Sequence, residues 1–467
     1  MMRYANFNNI VILIALLVLH ACTKNNSFIT SADALLRANI DTLAFDTVFT
    51  STGSVTKSFK IFNLNDQKLR LSSVTLGGGI NSFFKINVDG SPGVRFNDIE
   101  IAANDSIYVF ATVSINPNSN TLPFVVQDSI MISWNGNQQK VMLQAYGQNA
   151  IFLRGRRTTT DTAWNNTLPI VILDGFTVSS NTTLTIGPGT KVYARANAPI
   201  VVNGSLRING GVAPQDRVQF QGDRLDEPYR FFPASWPGIV FTGNSTNNSI
   251  QYANINNAYQ AVIVVGNGNL STPQLTINET TIDNAFDIGL QCLAANVQAR
   301  NNLISNCGNN VVIQGGVLNM THSTIVSYGN AYVQHKNPVL QIGNIVNGSI
   351  PVSAMGTFTN CIFYGQGGLP ENEIVINRQG NNPFNISFNN CLYKVKNTDP
   401  ANATFNNSVR NVEPGFDTVN TGLRMYNYRL RATSPAVNRG SNAGVTIDLD
   451  GNNRPVGVPD IGCYERQ

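Results

Sequence analysis

The chain has 467 residues, of which 42% are hydrophobic and only 12% charged, with 39 glycines and a formal net charge of +4. This length exceeds one ordinary compact domain, and the hydrophobic share excludes a largely disordered chain. The basic residues are scattered along the sequence, which argues against a nucleic-acid-binding protein. Low charge combined with many glycines and turn-forming residues favours an all-β protein.

Residues 1–21 have the features of a secretory signal peptide. Arg3 precedes an apolar run at residues 10–19, which is shorter than the about 20 residues needed to span a bilayer. The following Leu19-His20-Ala21-Cys22 resembles the bacterial lipobox, although His20 replaces the usual small or apolar residue. The resemblance implies that Cys22 carries lipid and that residues 22–39 tether the protein to a membrane. An ordinary signal peptide that ends near a cysteine is the alternative.

Residues 40–150 contain short strands with period-two alternation, such as residues 58–62, 106–113 and 139–145. Such alternation, with glycine, asparagine and aspartate between the strands, predicts an antiparallel β-sandwich. Residues 59–65, 69–71 and 141–147 resemble immunoglobulin-like modules of the abnormal-spindle and hydin type. That resemblance implies a spacer or a binding platform. The arginines that follow, Arg154, Arg156 and Arg157, fit a solvated connection or an anion-binding patch.

Six later segments share a β-branched or leucine anchor that follows a small or polar residue two positions earlier. The anchors are Ile255, Ile282, Ile304, Ile325, Ile362 and Leu392. Their spacing predicts the coils of a solenoid, with longer loops inserted in some coils. Small hydrogen-bonding side chains are expected to stack at the turn before each anchor.

Together with residues 184–193, 200–206 and 236–241, these repeats resemble right-handed parallel β-helix proteins of the pectate-lyase-like superfamily from Bacteroidetes. Residues 428–430, 434–436, 448–455 and 459–465 resemble the ending of β-helix proteins described as choice-of-anchor Q, with Cys463 in place of the usual alanine. The resemblance implies that residues 151–467 form such a β-helix with a C-terminal cap.

Five cysteines remain after Cys22, so they cannot all pair within the chain. Cys361 and Cys391 occupy matched positions in two repeats. Neighbouring coils would bring them within disulfide distance, and export permits oxidation. Buried free thiols that fill the core are the alternative interpretation.

The insertion at residues 222–232, just before Trp236, is the densest candidate site. Its candidate ligand-binding residues combine carboxylates, arginines and aromatics: Asp223, Arg224, Asp226, Glu227, Tyr229, Arg230 and Trp236. Such a loop suits sugar or protein recognition. Alternatively, its acids pair with its own arginines and fix the loop to the solenoid. The long gaps between anchors 325, 362 and 392 are the other places where function is expected.

Residues 448–452, with Asp448 and Asp450, are weak candidates for calcium ligands, and Asp460 is a possible further ligand. The spacing departs from an EF-hand, so a hydrogen-bonded turn is the alternative. We identify no catalytic residues. No Asp-Asp pair occurs, and His322 and His335 are interpreted as surface or loop histidines.

These features predict a lipid-anchored protein of the cell envelope, most simply of the outer membrane. Both the periplasmic side and the cell-surface side fit the sequence. A non-catalytic role in binding a polysaccharide or an envelope protein is favoured. The alternative is a calcium-dependent polysaccharide lyase, which would need a carboxylate cluster and a base that the sequence does not clearly supply.

Overall fold

A computed structural model describes residues 27–118, 120, 122–346 and 348–467. The predicted signal peptide, Cys22 and the first part of the tether lie outside these residues. The chain separates into two compact units, Met1–Asn149 and Ala150–Gln467. Three 3₁₀ turns, at Gly79–Asn81, Pro214–Asp216 and Tyr229–Phe231, are the helical elements of the described chain. The prediction of an all-β protein is confirmed.

The first unit contains two five-stranded sheets, and neighbouring strands in each series below are hydrogen-bonded. One sheet contains β1 (Leu36–Ala38), β3 (Lys57–Asn63), β8 (Ser106–Val113), β5 (Phe84–Val88) and β6 (Ser91–Gly93). The other contains β2 (Thr42–Phe49), β10 (Asn137–Gln148), β9 (Phe124–Trp134), β4 (Leu69–Leu76) and β7 (Arg95–Ile101).

One hydrophobic core is shared by the two sheets of this unit. Alternate residues of β8 are buried, from Ile107 to Val113, and they pack in one cluster with residues of β9 such as Ile130. All strand pairs of this unit are antiparallel except that of β2 with β10, which is parallel. The assignment to an immunoglobulin-like family remains a prediction.

The second unit is built from three stacks of parallel strands, which we call faces 1, 2 and 3. Face 1 is an 11-stranded sheet that contains β11 (Ile151–Leu153), β14 (Ile170–Ile172), β17 (Lys191–Ala194), β20 (Val218–Gly222), β23 (Ala253–Asn256), β26 (Thr281–Asp283), β28 (Leu303–Ser305), β30 (Thr324–Ser327), β35 (Ile362–Gly365), β38 (Leu392–Tyr393) and β40 (Val409–Arg410).

Faces 2 and 3 form one 17-stranded sheet, because β27 (Ile288–Arg300) and β29 (Asn309–Thr321) contribute to both. The other strands of face 2 are β12 (Arg156–Arg157), β15 (Phe176–Val178), β18 (Ile200–Val202), β21 (Ile239–Phe241), β24 (Gln260–Val265), β31 (Leu340–Gly343) and β36 (Ile374–Asn377). The other strands of face 3 are β13 (Thr162–Trp164), β16 (Thr183–Ile186), β19 (Ser205–Asn209), β22 (Asn248–Gln251), β25 (Leu275–Asn278), β34 (Ala354–Thr359), β37 (Phe384–Asn389) and β39 (Thr404–Asn406).

This stacking is that of a parallel β-helix, so the predicted repeat architecture is confirmed at this level. One hydrophobic core runs through the unit from Trp164 to Val395. Two antiparallel hairpins lie outside the stacks, formed by β32 (Ile345–Val346) with β33 (Ile350–Pro351) and by β41 (Phe416–Asn420) with β42 (Met425–Leu430).

The predicted repeat anchors all lie on face 1, but the last two stand one position out of register. Ile282 pairs with Ile304 and Ile304 with Ile325, and these side chains are buried in the core. Ile325 then pairs with Phe363, not with the predicted anchor Ile362. Phe363 and Tyr393 therefore fill the core, whereas Ile362 and Leu392 belong to a separate buried cluster.

The cause of this offset is the turn before face 1, where one residue has a positive φ in each coil from β23 to β40. Asn360 (φ 55°) occupies this position and corresponds to His322 (φ 47°), so it is not the small residue of the repeat. Asparagine tolerates left-handed backbone well, which explains its frequency here. The small or polar residue of the repeat comes directly after this left-handed residue. The N–H of Thr280 donates to Asn302 Oδ1 (3.0 Å) and that of Asn302 to Ser323 Oγ (3.2 Å), as the predicted stacking requires.

Cys361 and Cys391 continue this ladder of small side chains. They are one coil apart, since Ile362 pairs with Leu392, and both are free and buried in the core. The Cys391 thiol lies 3.3 Å from the carbonyl oxygen of Phe358, to which it donates. Of the two interpretations left open by the sequence, the structure has the free thiols.

The C-terminal residues run along the outer side of face 1. Arg217 Nη2 donates to the carbonyl oxygen of Leu449 (2.5 Å), and Asn301 Nδ2 donates to that of Ile447 (2.9 Å). The N–H of Cys463 donates to Thr324 Oγ1 at 3.0 Å. Beneath this segment, the outward side chains of face 1 form the separate buried cluster that contains Ile362 and Leu392.

Candidate functional site

The candidate site is the edge of the solenoid where each coil turns from face 1 to face 2, which we call the loop edge. Most coils cross this edge in a few residues, as between β26 and β27. Three coils carry longer insertions, at residues 223–238, 328–339 and 366–373. The first insertion and one part of each gap between anchors 325, 362 and 392, where the sequence places function, thus lie on one edge.

The acidic residues of the first insertion are paired with arginines. Arg224 makes two hydrogen bonds to Asp226, at 2.7 and 2.8 Å. Asp223 lies 3.2 Å from Arg195, the residue after β17, and Glu227 lies 3.6 Å from Arg230. Hydrogen bonding to Asp226 raises the pKa of Arg224. This arrangement corresponds to the alternative in which the acids fix the loop to the solenoid.

Trp236 is a core residue, and its inclusion among the ligand-binding candidates is wrong. Its side chain is 1% exposed and stacks on Phe220 with ring centroids 6.2 Å apart. Its indole N–H donates to the carbonyl oxygen of Asn256 at 2.9 Å. Because the only polar atom of the ring is already bonded, no part of this side chain is left for a ligand.

Asparagines with left-handed backbone attach the insertion to the loop edge. Asn257 (φ 61°) and Asn284 (φ 57°) directly follow two successive strands of face 1, β23 and β26. Their side-chain amides donate to the carbonyl oxygens of Arg230 (2.9 Å) and Phe231 (3.0 Å). Asn284 Nδ2 also donates to Asn257 Oδ1 at 2.7 Å. The repeat itself therefore holds the insertion in place.

An aromatic and cationic cluster assembles there from three distant segments. Phe231 (38% exposed) and Phe232 come from the first insertion, Tyr332 from the second and Arg424 from the β41–β42 hairpin. The Arg424 guanidinium lies 4.7 Å from the Phe231 ring and 4.9 Å from the Tyr332 ring. Phe232 contacts Tyr332 with centroids 4.9 Å apart. The sequence did not identify Tyr332 or Arg424, because they are about 100 and 200 residues from the insertion in the chain.

A second aromatic pair lies two residues beyond the asparagine ladder. Tyr259 and Phe286 are 44% and 51% exposed and stack across adjacent coils, with centroids 5.9 Å apart and rings inclined by 21°. Polar side chains follow them directly. Gln260 donates to Asp287 at 2.7 Å. These contacts give the loop edge a flat apolar surface beside planar polar groups.

A cleft of about 580 Å³ lies further along the loop edge. It is lined by the second and third insertions and the hairpin tip, including Tyr328, Asn330, His335, Leu369 and Thr421. The hairpin is held by Tyr426, whose hydroxyl donates to the carbonyl oxygen of Gly329 at 2.9 Å. Burial is the main cause that raises the pKa of Tyr328, so this phenol is neutral.

His335 and Glu373 form a buried pair beneath this cleft. His335 Nε2 lies 3.1 Å from Glu373 Oε2, and Lys394 Nζ lies 3.9 Å from Glu373 Oε1. Glu373 has no exposed side-chain surface, and His335 is 4% exposed. His322 is also buried. A position at the surface is therefore wrong for both histidines, although His335 does lie in a loop, the insertion at residues 328–339.

The weak calcium candidates are occupied by hydrogen bonds from the protein. Asp448 Oδ1 accepts the N–H groups of Asp450 (2.9 Å) and Asn452 (2.8 Å). Asp450 lies 2.6 Å from Arg429, and Asp460 accepts the N–H of Arg466 at 2.8 Å. In the described ranges, no group of three or more acidic, histidine or cysteine residues is placed to hold a metal ion. The contacts correspond to the hydrogen-bonded turn of the alternative interpretation.

The candidate lipid-attachment residue Cys22 lies outside the described residues. Among the residues from 27 onward that the structure describes, no helix is long and apolar enough to cross a membrane.

No protein-family model and no curated protein matches the chain. Two solved structures show small likenesses, each with a TM-score of 0.18. One is a family 123 glycoside hydrolase from Clostridium perfringens, 13% identical over 24% of this chain and 26% of that chain. The other is a protein of unknown function from Porphyromonas gingivalis W83, 9% identical over 27% of this chain and 60% of that chain. The chain thus spans less than two thirds of either one, and likenesses this small bear on neither fold nor function.

Proposed function

We propose that this protein is exported, attached to the cell envelope by lipid on Cys22, and binds a polysaccharide along the loop edge of its solenoid without cleaving it. The observation that carries the proposal is the placement of exposed aromatic rings. Within the described part of residues 150–467, the aromatic side chains at least 36% exposed are Tyr229, Phe231, Tyr259 and Phe286. All four lie on the loop edge.

Exposed rings in a row favour a sugar ligand for a physical reason. Aromatic side chains bury a large apolar area when covered, and the flat C–H face of a pyranose ring covers them well. The neighbouring carboxylate and amide groups, such as those of Asp287 and Gln260, can bond hydroxyls around a sugar ring. The asparagine ladder fixes the site before the ligand arrives, which lowers the entropic cost of binding.

The pairing of acidic residues favours binding over catalysis. Glycoside hydrolysis needs two carboxylates on opposite sides of the scissile bond, each able to exchange a proton or attack the sugar. Asp223, Asp226 and Glu227 instead pair with arginines. An envelope protein remains the second candidate ligand, since a row of aromatics with arginines also suits protein recognition. A calcium-dependent lyase remains the alternative activity.

The proposed cellular location and the finer family assignments rest on the sequence. The lipobox-like residues 19–22 support a lipid anchor in the outer membrane, and residues 40–150 are proposed as an immunoglobulin-like spacer. We propose that residues 151–467 form a right-handed β-helix of the pectate-lyase-like type with a choice-of-anchor Q ending. Parallel strands joined by crossovers are right-handed in nearly all proteins, which supports that hand.

Glycan binding is tested by screening the purified protein against a glycan array and measuring the best ligand by calorimetry. Replacing both Tyr259 and Phe286 by alanine is expected to weaken binding about tenfold or more. Met355→Ala, at an exposed apolar residue on face 3, is the matched control and should bind normally. Absence of any glycan ligand would refute the proposal, and so would a calcium-dependent rise in absorbance from unsaturated uronate products.

The anchor is tested separately in cells with a palmitate analogue. The natural chain is expected to be labelled and the Cys22→Ala variant to lose the label. Label retained in the variant would show that lipid is attached at another residue and would refute Cys22 as the anchor.

A further inference from the structure

The first unit carries a second aromatic surface, on the outer side of the sheet that contains β1, β3, β8 and β5. Tyr108 (45% exposed) and Phe110 (37% exposed) are two residues apart on β8 and therefore point to the same side. Their rings are stacked, with centroids 5.5 Å apart and planes inclined by 17°. Phe62 of β3 is half-buried beside them. We call this surface the sheet platform.

Cations surround these rings. Lys60 pairs directly opposite Tyr108, and its ammonium lies 4.5 Å from the Tyr108 ring and 6.0 Å from that of Phe62. Arg37 is opposite Phe62 on β1. Lys85 is on β5, opposite Thr112 of β8. Burial alternates along each of these strands, so Arg37, Lys60 and Lys85 share the outer side with the rings.

The charge of this surface has one sign. The five strands of the sheet contain four cationic residues and no aspartate or glutamate. Arg37, Lys60 and Lys85 form no ion pair with any carboxylate in the described ranges. The other sheet of the unit differs, because its strands include Asp46, Asp98 and Asp128. The cations of the platform are therefore available to an anionic partner.

We infer that the sheet platform binds an anionic polysaccharide, one whose sugar rings carry carboxylate or sulfate groups. Stacked rings flush with a flat sheet suit the apolar face of a sugar, and the flanking cations meet its charges. Ser58 and Thr112 lie on the same side and offer hydroxyl groups. The site is distinct from the loop edge and does not depend on the function proposed for that edge.

The shape of the platform favours a polysaccharide over an anionic membrane surface. Membrane-surface binding buries apolar side chains about 5–10 Å into the lipid, and such side chains must protrude. Tyr108 and Phe110 are instead mid-strand residues of the sheet and alternate with buried neighbours. Polar side chains lie among them, and the Lys60 ammonium rests over a ring.

The test uses the full chain, an oligogalacturonate and its methyl ester, which keeps the sugar ring but removes its charge. The natural chain is expected to bind the acid at least about tenfold more tightly than the ester, with affinity that falls as salt is added. The double variants Tyr108→Ala/Phe110→Ala and Lys60→Gln/Lys85→Gln should each weaken binding of the acid about tenfold. Tyr146→Ala, at a 42% exposed tyrosine of the other sheet, is the matched control and should change nothing.

Other outcomes overturn the inference and separate it from the proposed function. Binding that is unaffected by both platform variants but lost in Tyr259→Ala/Phe286→Ala would assign the glycan to the loop edge alone. Adsorption to vesicles of anionic phospholipid without binding of oligogalacturonate or a sulfated glycan would identify a lipid surface instead. No binding to any of these probes also refutes the platform. Unfolding temperatures equal to that of the natural chain show that the variants are folded.

Discussion

Arg454 and Glu465 form an ion pair in which neither side chain has any exposed surface, with Arg454 Nε 3.1 Å from Glu465 Oε2. The Glu465 carboxylate also accepts the N–H groups of Val456 (2.8 Å) and Asp460 (3.0 Å). Burial is the main cause that raises the pKa of Glu465 and lowers that of Arg454. The pair therefore ties the end of the chain into a closed loop, at the cost of removing two charges from water.

Breaking this pair on one side should destabilise the protein strongly. Glu465→Ala leaves the Arg454 charge buried without its partner, which typically costs about 3–5 kcal/mol. Denaturant unfolding followed by circular dichroism measures the loss. The double variant Arg454→Met/Glu465→Leu removes both charges and should recover much of it. A single variant as stable as the natural chain would contradict the buried pairing.

The pH dependence of stability should contain a contribution from His322. Burial, with help from the Arg454 charge, lowers the pKa of His322 to about 3. The unfolded histidine titrates near about 6.5, so the unfolded chain binds the proton more tightly. The stability from this residue is complete above about pH 6.5 and falls as the pH drops toward 3, by about 1.4 kcal/mol per unit.

The matched variant for this prediction is His322→Asn. Asparagine stands at the same left-handed position in neighbouring coils, at Asn301 and Asn360, so the backbone is preserved. Free energies of unfolding measured between pH 4 and 7 should decline less steeply in the variant than in the natural chain. Equal slopes would show that His322 is not held neutral in the folded protein.

The sequence predicted the repeat and the insertions that interrupt it, because both follow from local spacing. It could not predict the register of the last two coils. In Asn360-Cys361-Ile362 the asparagine looks like the small residue of the repeat, while it holds the left-handed position. Only the pairing of Ile325 with Phe363, 38 positions further along the chain, resolves this.

The candidate site, too, could be predicted from the sequence only in part. The first insertion was visible as a dense cluster of charged and aromatic residues. Arg424 and Tyr332 were not, because a solenoid brings together residues that are far apart in sequence. Trp236 was misassigned, since a tryptophan next to a loop has the same sequence pattern whether it points into the core or into solvent.

The five cysteines from Cys292 to Cys463 should resist thiol reagents in the folded protein. All are free and buried. Burial raises the pKa of Cys292 and of Cys463 to about 12, so almost no reactive thiolate is present at pH 8. An aromatic disulfide reagent should label none of the five within minutes in buffer and all of them in denaturant. Non-reducing peptide mapping that finds Cys361 joined to Cys391 would contradict the free thiols.

Gly365 is expected to be required for the buried pair beneath the cleft of the loop edge. A Cβ atom at this position would lie 2.2 Å from Cε1 of His335 and 2.4 Å from Oε1 of Glu373, closer than any real contact. The His335 ring and the Glu373 carboxylate cannot move away from this Cβ atom, because both are buried and they form a pair with each other. Gly365→Ala should therefore lower the free energy of unfolding by about 1–3 kcal/mol. Gly343→Ala is the matched control, since its Cβ would meet nothing nearer than 3.7 Å. If the two variants unfold at the same denaturant concentration, His335 and Glu373 do not pack against Gly365 as described.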